Sequence, residues 1–492
     1  MPETSVNRRD FLIGAGWSAP ALLGFQAGAG GKMIGIQVGA VSFLDEGTNQ
    51  VLDIFRERAS IDTLFLAVFT YGRGIAGRQV PGQPLPDHGK QEYDLDFHGG
   101  NFATPHAQYY RDTVLKGLRA PDYGSYDVLA DVLPAARKRG MKTICWLEDV
   151  FRSDIPDIGK VQEKDPHGRN AHTLCFNNPN YRNFLTGLVE DYARSYEIDG
   201  VMWGSERQGA LANALGASHG GLHSDPGRVT CFCEFCQRKA REAGISFERA
   251  RQGFLELEKF VRAGRAGGRP VDGYYVEFWR LLLKYPELAA WEMLWTNSLR
   301  ETYAAIYGAV KAAKPNLPVG WHIWHNNSFN PIYRAEQDLQ ELSKYSDFLK
   351  IVIYNNCAGE RMAGYIDSVG QTLYGDLTKQ KSLEFHYAVM NYQERSYDEI
   401  PFTGLSSDYV YRETRRAITG AAGAKTRIWP GIDIDIPTAA NHSKCTPQGV
   451  RDAVLAAFRG GAHGVILSRK YSEMKLANLS GAGEAIRQLQ KG

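Results

Sequence analysis

From residue 33 onward the chain alternates short apolar runs with amphipathic stretches, and this alternation constrains its fold more than any other feature. Every residue from Leu64 to Phe69 is apolar. A strand covered on both faces reads this way because neither side of it meets water, and such strands belong to parallel sheets. Comparable runs occupy residues 33–39, 63–69, 142–149, 198–204, 318–325, 348–356, 426–435 and 463–469. Helical segments fall between them at 48–59, 125–139, 179–196, 408–422 and 447–459, and a last helix closes the chain. Asn178 is placed to cap the third of these, with Pro179 in its first turn. Strand and helix in regular alternation predict an α/β protein, a (β/α)8 TIM barrel. A doubly wound open sheet is the rival, but Gly35, Gly39 and Gly47 do not form the phosphate-binding turn such a sheet carries after its first strand. Residues 382–389 read as a further short strand with no place in an eightfold count.

Two segments exceed what a minimal barrel needs. Residues 70–123 are rich in Gly, Pro, His and Tyr and read as a long loop over the barrel mouth. Residues 232–314 are mostly helical, longer than one barrel helix requires, and read as a helical insertion after the fourth strand. Ahead of the barrel, Arg8 and Arg9 precede Phe11, Leu12 and Ile13 and a run of Gly and Ala. This resembles a bacterial twin-arginine export signal, so residues 1–30 are set apart from the barrel domain at 31–492, and a periplasmic or extracellular location is expected. The charges nearly balance, 57 basic against 55 acidic residues, which gives no reason to expect nucleic acid or an anionic membrane as partner. No later stretch has the run of apolar residues a membrane-spanning helix needs.

In a (β/α)8 barrel the residues at the C-terminal strand ends face the active site. Here those ends combine carboxylates with aromatics: Trp146, Glu148 and Asp149; Trp203, Glu206 and Arg207; Trp321, His322, Trp324 and His325; Tyr354 and Asn355; Trp429, Asp433 and Asp435; Arg469. Cleavage of a glycosidic bond requires one carboxyl to protonate the leaving oxygen and a second to act as nucleophile or to activate water, and aromatic faces suit sugar rings. Glu206 is the first choice for the acid/base, with Asp433 or Glu148 as its partner. Trp146, Asp149, Trp203, Arg207, Trp321, His322, Trp324, Tyr354, Asn355, Trp429, Asp435 and Arg469 are the candidate substrate-binding residues. The expected partner is therefore a carbohydrate, and catalysis calls for no cofactor. The alternative is a barrel that binds carbohydrate without cleaving it. A metal-dependent hydrolase is disfavoured, because no H-x-H or H-E-x-x-H ligand set occurs.

Cys231, Cys233 and Cys236 form a C-x-C-x-x-C cluster. Three thiolates lack one ligand for a tetrahedral structural zinc, which His219 or His223 on the same loop is placed to supply. The other readings are a disulfide with one thiol left over, or three unrelated buried thiols. Cys145, Cys175, Cys357 and Cys445 stand isolated in sequence.

The stretch from Asp199 to Glu206, the cysteine cluster after it and the Asn178–Pro179 helix start resemble bacterial glycosyl hydrolase-like barrels, which are related to β-galactosidase-type and α-amylase-type barrels. The resemblance implies a (β/α)8 fold and action on a carbohydrate. It also implies an acid/base after the fourth strand, where Glu206 stands. Ser205 occupies the place where those enzymes usually have Asn, and Asp433 and Asp435 stand where they usually have Glu.

Overall fold

The structure is a computed structural model that describes residues 31–152 and 154–491. The export signal expected at 1–30 lies outside the described residues. Eight parallel strands form a closed ring: β1 Met33–Gly39, β2 Thr63–Thr70, β3 Lys142–Glu148, β4 Gly200–Gly204, β5 Val319–Ile323, β6 Phe348–Val352, β7 Arg427–Asp433 and β8 Gly464–Ser468. Closure is direct, since β1 pairs with β2 on one side and with β8 on the other, Ile36 opposite Leu64 and Leu467. The fold is a (β/α)8 barrel of the α/β class.

The barrel helices are α1 Thr48–Ala59, α2 Val128–Lys138, α3 Pro179–Ser195, α4 Glu287–Ala313, α5 Leu339–Ser343, α6 Ser407–Gly420, α7 Pro447–Arg459 and α8 Leu476–Lys491. Their starts follow local chemistry. Asp127 accepts from the amides of Leu129 and Ala130, Asn178 from Asn180, and Thr446 from Gly449, each leaving fewer first-turn donors unpaired. Between β4 and α4 lie the expected additional helices, among them Glu234–Glu242, Phe247–Arg265 and Tyr274–Lys284. Residues 382–389 are not a strand: they belong to the helix Lys379–Met390. Its buried residues, Ser382, Leu383, His386 and Met390, mark a helical face, whereas Phe385 and Val389 point to solvent and give the sequence its false alternation. No helix among the described residues is long and apolar enough to cross a membrane.

Side chains alternate along each strand between the barrel interior and the helical layer. Met33, Phe65, Ile144, Trp146, Met202, Phe348, Trp429 and Ile466 fill the interior as one apolar cluster, and Phe348 stacks on Trp429 at 4.3 Å. The outward residues of the same strands, Leu64, Leu66, Cys145, Leu147, Val201, Trp203, Trp321 and Ile323, join the larger core beneath the helices. Behind β3 and β4, Arg207 is buried between Asp149 and Glu163 at 3.0 Å from each, and it also donates to the carbonyl of Leu174. Glu163 belongs to the hairpin Gln162–Lys164 and Asn170–Leu174, so this one guanidinium ties the hairpin to two strand ends. Replacing Arg207 by Met leaves two buried carboxylates without their cation. The expected loss is about 3 kcal/mol of unfolding free energy in a denaturant titration, and an unchanged midpoint would show that the network does not hold these elements together.

Candidate active site

The site is built at one level of the barrel. Glu148 on β3 lies opposite Gly204 on β4, and His322 on β5 lies opposite Lys350 on β6. All four face inward. A Cβ on Gly204 would stand 2.6 Å from that of His322, so the glycine is what lets the imidazole close over β4. Glu206, two residues past Gly204, shares its inward direction and meets the ring: its Oε1 is 2.9 Å from His322 Nε2. Lys350 enters the interior in the same way beside Gly431, whose added Cβ would come within 2.8 Å of the lysine Cε. The ammonium donates to Gln37 on β1 and, at 2.9 Å, to the hydroxyl of Tyr354.

The two inward glutamates are driven in opposite directions. Desolvation raises Glu148 to about 7, against a hydrogen bond from Thr70 that lowers it, and the charge of Glu206 adds to the rise. Desolvation also acts on Glu206, but the hydrogen bond from His322, the charge that His322 and His219 take on in acid, and the charge of Arg361 outweigh it and bring the carboxyl down to about 2. Its side chain remains 53% exposed, so the ionised oxygens meet solvent at the mouth. Burial lowers His322, and a neutral imidazole facing an ionised carboxylate carries its proton on Nε2 and donates it. Desolvation likewise brings Lys350 down to about 7, opposed by Glu206 and Glu148. A protonated and an ionised carboxyl near neutral pH, set by different surroundings, make an acid and base pair.

The other residues singled out in the sequence sort by direction. Asp433 is buried, and its carboxylate accepts from the amides of Cys357 at 2.9 Å and Ile436 at 3.2 Å. It anchors the start of the helix Asn355–Val369 and is not presented to the mouth. Asp435 has a left-handed backbone, φ 57°, and holds the amide of Lys475 and the side chain of Asn478, tying β7 to α8. Asp149 and Arg207 belong to the buried network behind the strands, where Asp149 also takes the hydroxyls of Tyr181 and Ser205. Trp203 packs on Phe176 and Tyr303, and Trp321 donates to the carbonyl of Tyr345, both under the helices. Trp429 lies in the interior against Phe348 and Phe65, and Trp146 forms the floor beneath Lys350, 5.8 Å from its ammonium. None of these six has a free face at the mouth. Asn355 is half-buried and donates to Leu405.

Four candidates do gather with Glu206 and Glu148. His322 and Tyr354 line the well, Trp324 is half-buried at the rim beside His219 and Tyr333, and Arg469 pairs with Glu473 while its guanidinium lies 3.5 Å from the Cβ position of Gly74. Lys350 and Arg361, which the sequence did not single out, and His219, expected as a zinc ligand, complete the site. Lys350 is a lone charge in an otherwise apolar strand, a signal that was there to be read. His219 and Arg361 sit on loop and helix positions that no strand pattern marks.

Behind this site, the sulfurs of Cys175, Cys231, Cys233 and Cys236 all lie within 4.8 Å of one another and all four residues are buried. The fourth member is Cys175, not His219 or His223: His219 faces the mouth, with ring contacts to Trp324 and Phe329. Cys233 lies 3.4 Å from Cys175, and Cys175 lies 3.6 Å from Cys236. None of the seven cysteines is in a disulfide.

No family model and no curated protein matches the chain. Solved structures do. A β-galactosidase from the Antarctic haloarchaeon Halorubrum lacusprofundi superposes with a TM-score of 0.51 at 13% identity, over 93% of this chain and 58% of that one. The α-L-fucosidase isoenzyme 2 of Paenibacillus thiaminolyticus gives 0.49 at 12% identity, over 94% and 49%. A GH42 β-galactosidase from G. stearothermophilus gives 0.49 at 11%, over 95% and 57%. The chain thus spans about half the length of the glycoside hydrolases it is similar to, and the likeness is one of fold.

The arrangement predicts a titration. Glu148 should protonate with a midpoint near 7, read as a carboxyl infrared or NMR signal that Glu148→Gln removes. In Glu206→Gln the neighbouring negative charge is gone and that midpoint should fall. A midpoint unmoved by Glu206→Gln would mean that the two groups do not sense each other.

Proposed function

We propose that the chain is an exported glycoside hydrolase whose chemistry is carried by Glu148 and Glu206. The observation that carries the reading is the opposite displacement of two inward carboxyls at the mouth of one barrel. Near pH 7 Glu148 retains a proton to give to the glycosidic oxygen as the bond from the anomeric carbon breaks and its electron pair passes to that oxygen. Glu206, already ionised and oriented by His322, faces the positive charge that develops on the sugar. It acts as nucleophile on the anomeric carbon or as base for water, and the anomer first formed, read by NMR, distinguishes the two. This reverses the sequence-based choice of Glu206 as proton donor, because the His322 hydrogen bond favours its charged form. Trp324 and Tyr354 offer aromatic faces beside His219 and Lys350. The glycoside hydrolases with the same fold support the reaction class.

Hydrolysis of an aryl glycoside panel tests the reading. Glu206→Gln and Glu148→Gln should each reduce kcat/KM by about 10³-fold or more in a folded protein. Because Glu148 must be protonated, the rate should fall as pH rises through about 7, and that limb should vanish in Glu148→Gln with substrates whose leaving group needs no protonation. A chain that binds sugars and cleaves none is instead a carbohydrate-binding barrel.

The four cysteines are proposed to hold a structural zinc. Tetrahedral sulfur ligands at the usual zinc–sulfur distance stand ~3.8 Å apart, and the observed approaches of 3.4 and 3.6 Å suit that set. A closed ligand set leaves no position for catalysis, so the ion's part is to clip the loop after Glu206 to the segment that carries Cys175. Elemental analysis of the purified protein should find about one zinc per chain. Cys175→Ser should lower both the zinc content and the thermal midpoint, and a metal-free protein of unchanged stability would refute the assignment.

A further inference from the structure

Three arginines around the barrel are matched with carboxylates. Arg207 has Asp149 and Glu163, Arg334 has Glu413, and Arg469 has Glu473. Arg361, on the helix Asn355–Val369, is not matched in this way. It is half-buried and forms no ion pair among the described residues. Its one hydrogen bond runs to Nδ1 of His325 at 2.9 Å. That nitrogen accepts because the other ring nitrogen lies 3.1 Å from the hydroxyl of Tyr409, and burial keeps the ring uncharged. A guanidinium carries several N–H donors in a planar fork, so most of Arg361's remain without a protein acceptor.

Its position makes this informative. The guanidinium carbon is 5.9 Å from the ring of Tyr354, the residue whose hydroxyl meets Lys350. Its charge is felt by both Glu206 and His219. Glu206 feels this charge but forms no ion pair with it; the carboxylate is hydrogen-bonded to His322 instead. His219 adds a buried Nδ1 with no partner on the same side. Arg73, on the short helix Arg73–Ala76 after β2, likewise makes no ion pair or hydrogen bond among the described residues. A planar fork whose donors are largely untaken, beside a carboxylate at the mouth, fits a planar or tetrahedral anion.

We propose that Arg361 receives an anionic substituent of the sugar in the site, so that the substrates are acidic glycans rather than neutral ones. The substituent is a ring carboxylate, as in a uronic acid, or a sulfate ester; both offer the oxygens that a guanidinium fork takes in pairs. The inference rests on the reading of the mouth as a glycan site, and it deepens that reading by naming the substrate class.

The test pairs neutral, carboxylated and sulfated forms of the same aryl glycosides with the purified full chain, alongside equilibrium binding of the corresponding oligosaccharides by calorimetry. The acidic form should be favoured over the neutral by about 30-fold or more in kcat/KM, or in affinity where nothing is cleaved. Arg361→Met should bring the acidic-to-neutral ratio of kcat/KM, or of affinity, to near one whatever it does to the rate common to both forms, and Arg361→Lys should restore part of the ratio. Should Arg361→Met fail to fold, the salt dependence of the unaltered protein reads the same contact, since added salt weakens binding of the acidic form and not of the neutral one. Which acidic form is preferred identifies the substituent. Absence of cleavage with selective, Arg361-dependent binding of acidic sugars overturns the hydrolase reading and sustains this one. Equal handling of neutral and acidic sugars, or no binding of any acidic sugar, overturns this one whatever the catalytic outcome.

Discussion

The closed ring of parallel hydrogen bonds, with β8 in register against β1 and β1 against β2, imposes the constraint on which everything else depends. Once the ring closes, side-chain direction alternates residue by residue, and each position is committed either to a narrow interior or to the layer beneath the helices. The interior has room for few large groups. Phe348, Trp429, Phe65 and Trp146 fill its lower part, and charge is admitted only at the upper level, where glycines at 204 and 431 leave space for His322 and Lys350.

Within that upper level the charges are interdependent. Lys350 is buried with two neutral hydrogen-bond partners, which alone would disfavour an ammonium, and the negative charges of Glu206 and Glu148 offset part of that cost. Glu206 in turn raises Glu148. The low-dielectric wall of the barrel makes such couplings stronger than the same groups would have in water. A change in the charge of any one member is therefore felt by the other two.

The strands were legible because a strand buried on both faces must be apolar throughout, and all eight runs read from the chain became barrel strands. The capped start of α3 at Asn178 was legible for a similarly local reason. The site was legible in part. Glu206, Glu148, His322 and Tyr354 came from strand ends, but so did Trp203, Asp149, Arg207 and Trp321, which point away. Parity along each strand separates the two sets: with Glu206 inward, its neighbour Arg207 and the more distant Trp203 must face out, and with Glu148 inward Asp149 must too. Asp433 defeats a reading by strand position alone, because its carboxylate is consumed by backbone amides that only the folded loop brings near. Arg361 and Cys175 were beyond local reading altogether. Each acquires its meaning from partners far away in the chain: His325 and Glu206 for the arginine, Cys231, Cys233 and Cys236 for the thiol.

The missing side chain at Gly204 has an evolutionary corollary. Any Cβ there collides with His322, and without the imidazole Glu206 loses the hydrogen bond that holds it ionised and oriented. Positions 204, 206 and 322 therefore behave as one heritable unit: no single substitution at the glycine can be sampled without also disabling the carboxylate two residues on. A lineage that exchanged this constellation for another would first have to relax the spacing between β4 and β5. Variation is thereby channelled away from this corner and toward the rim, where His219, Trp324 and Arg361 are carried on loop and helix positions whose backbone is free to be rebuilt.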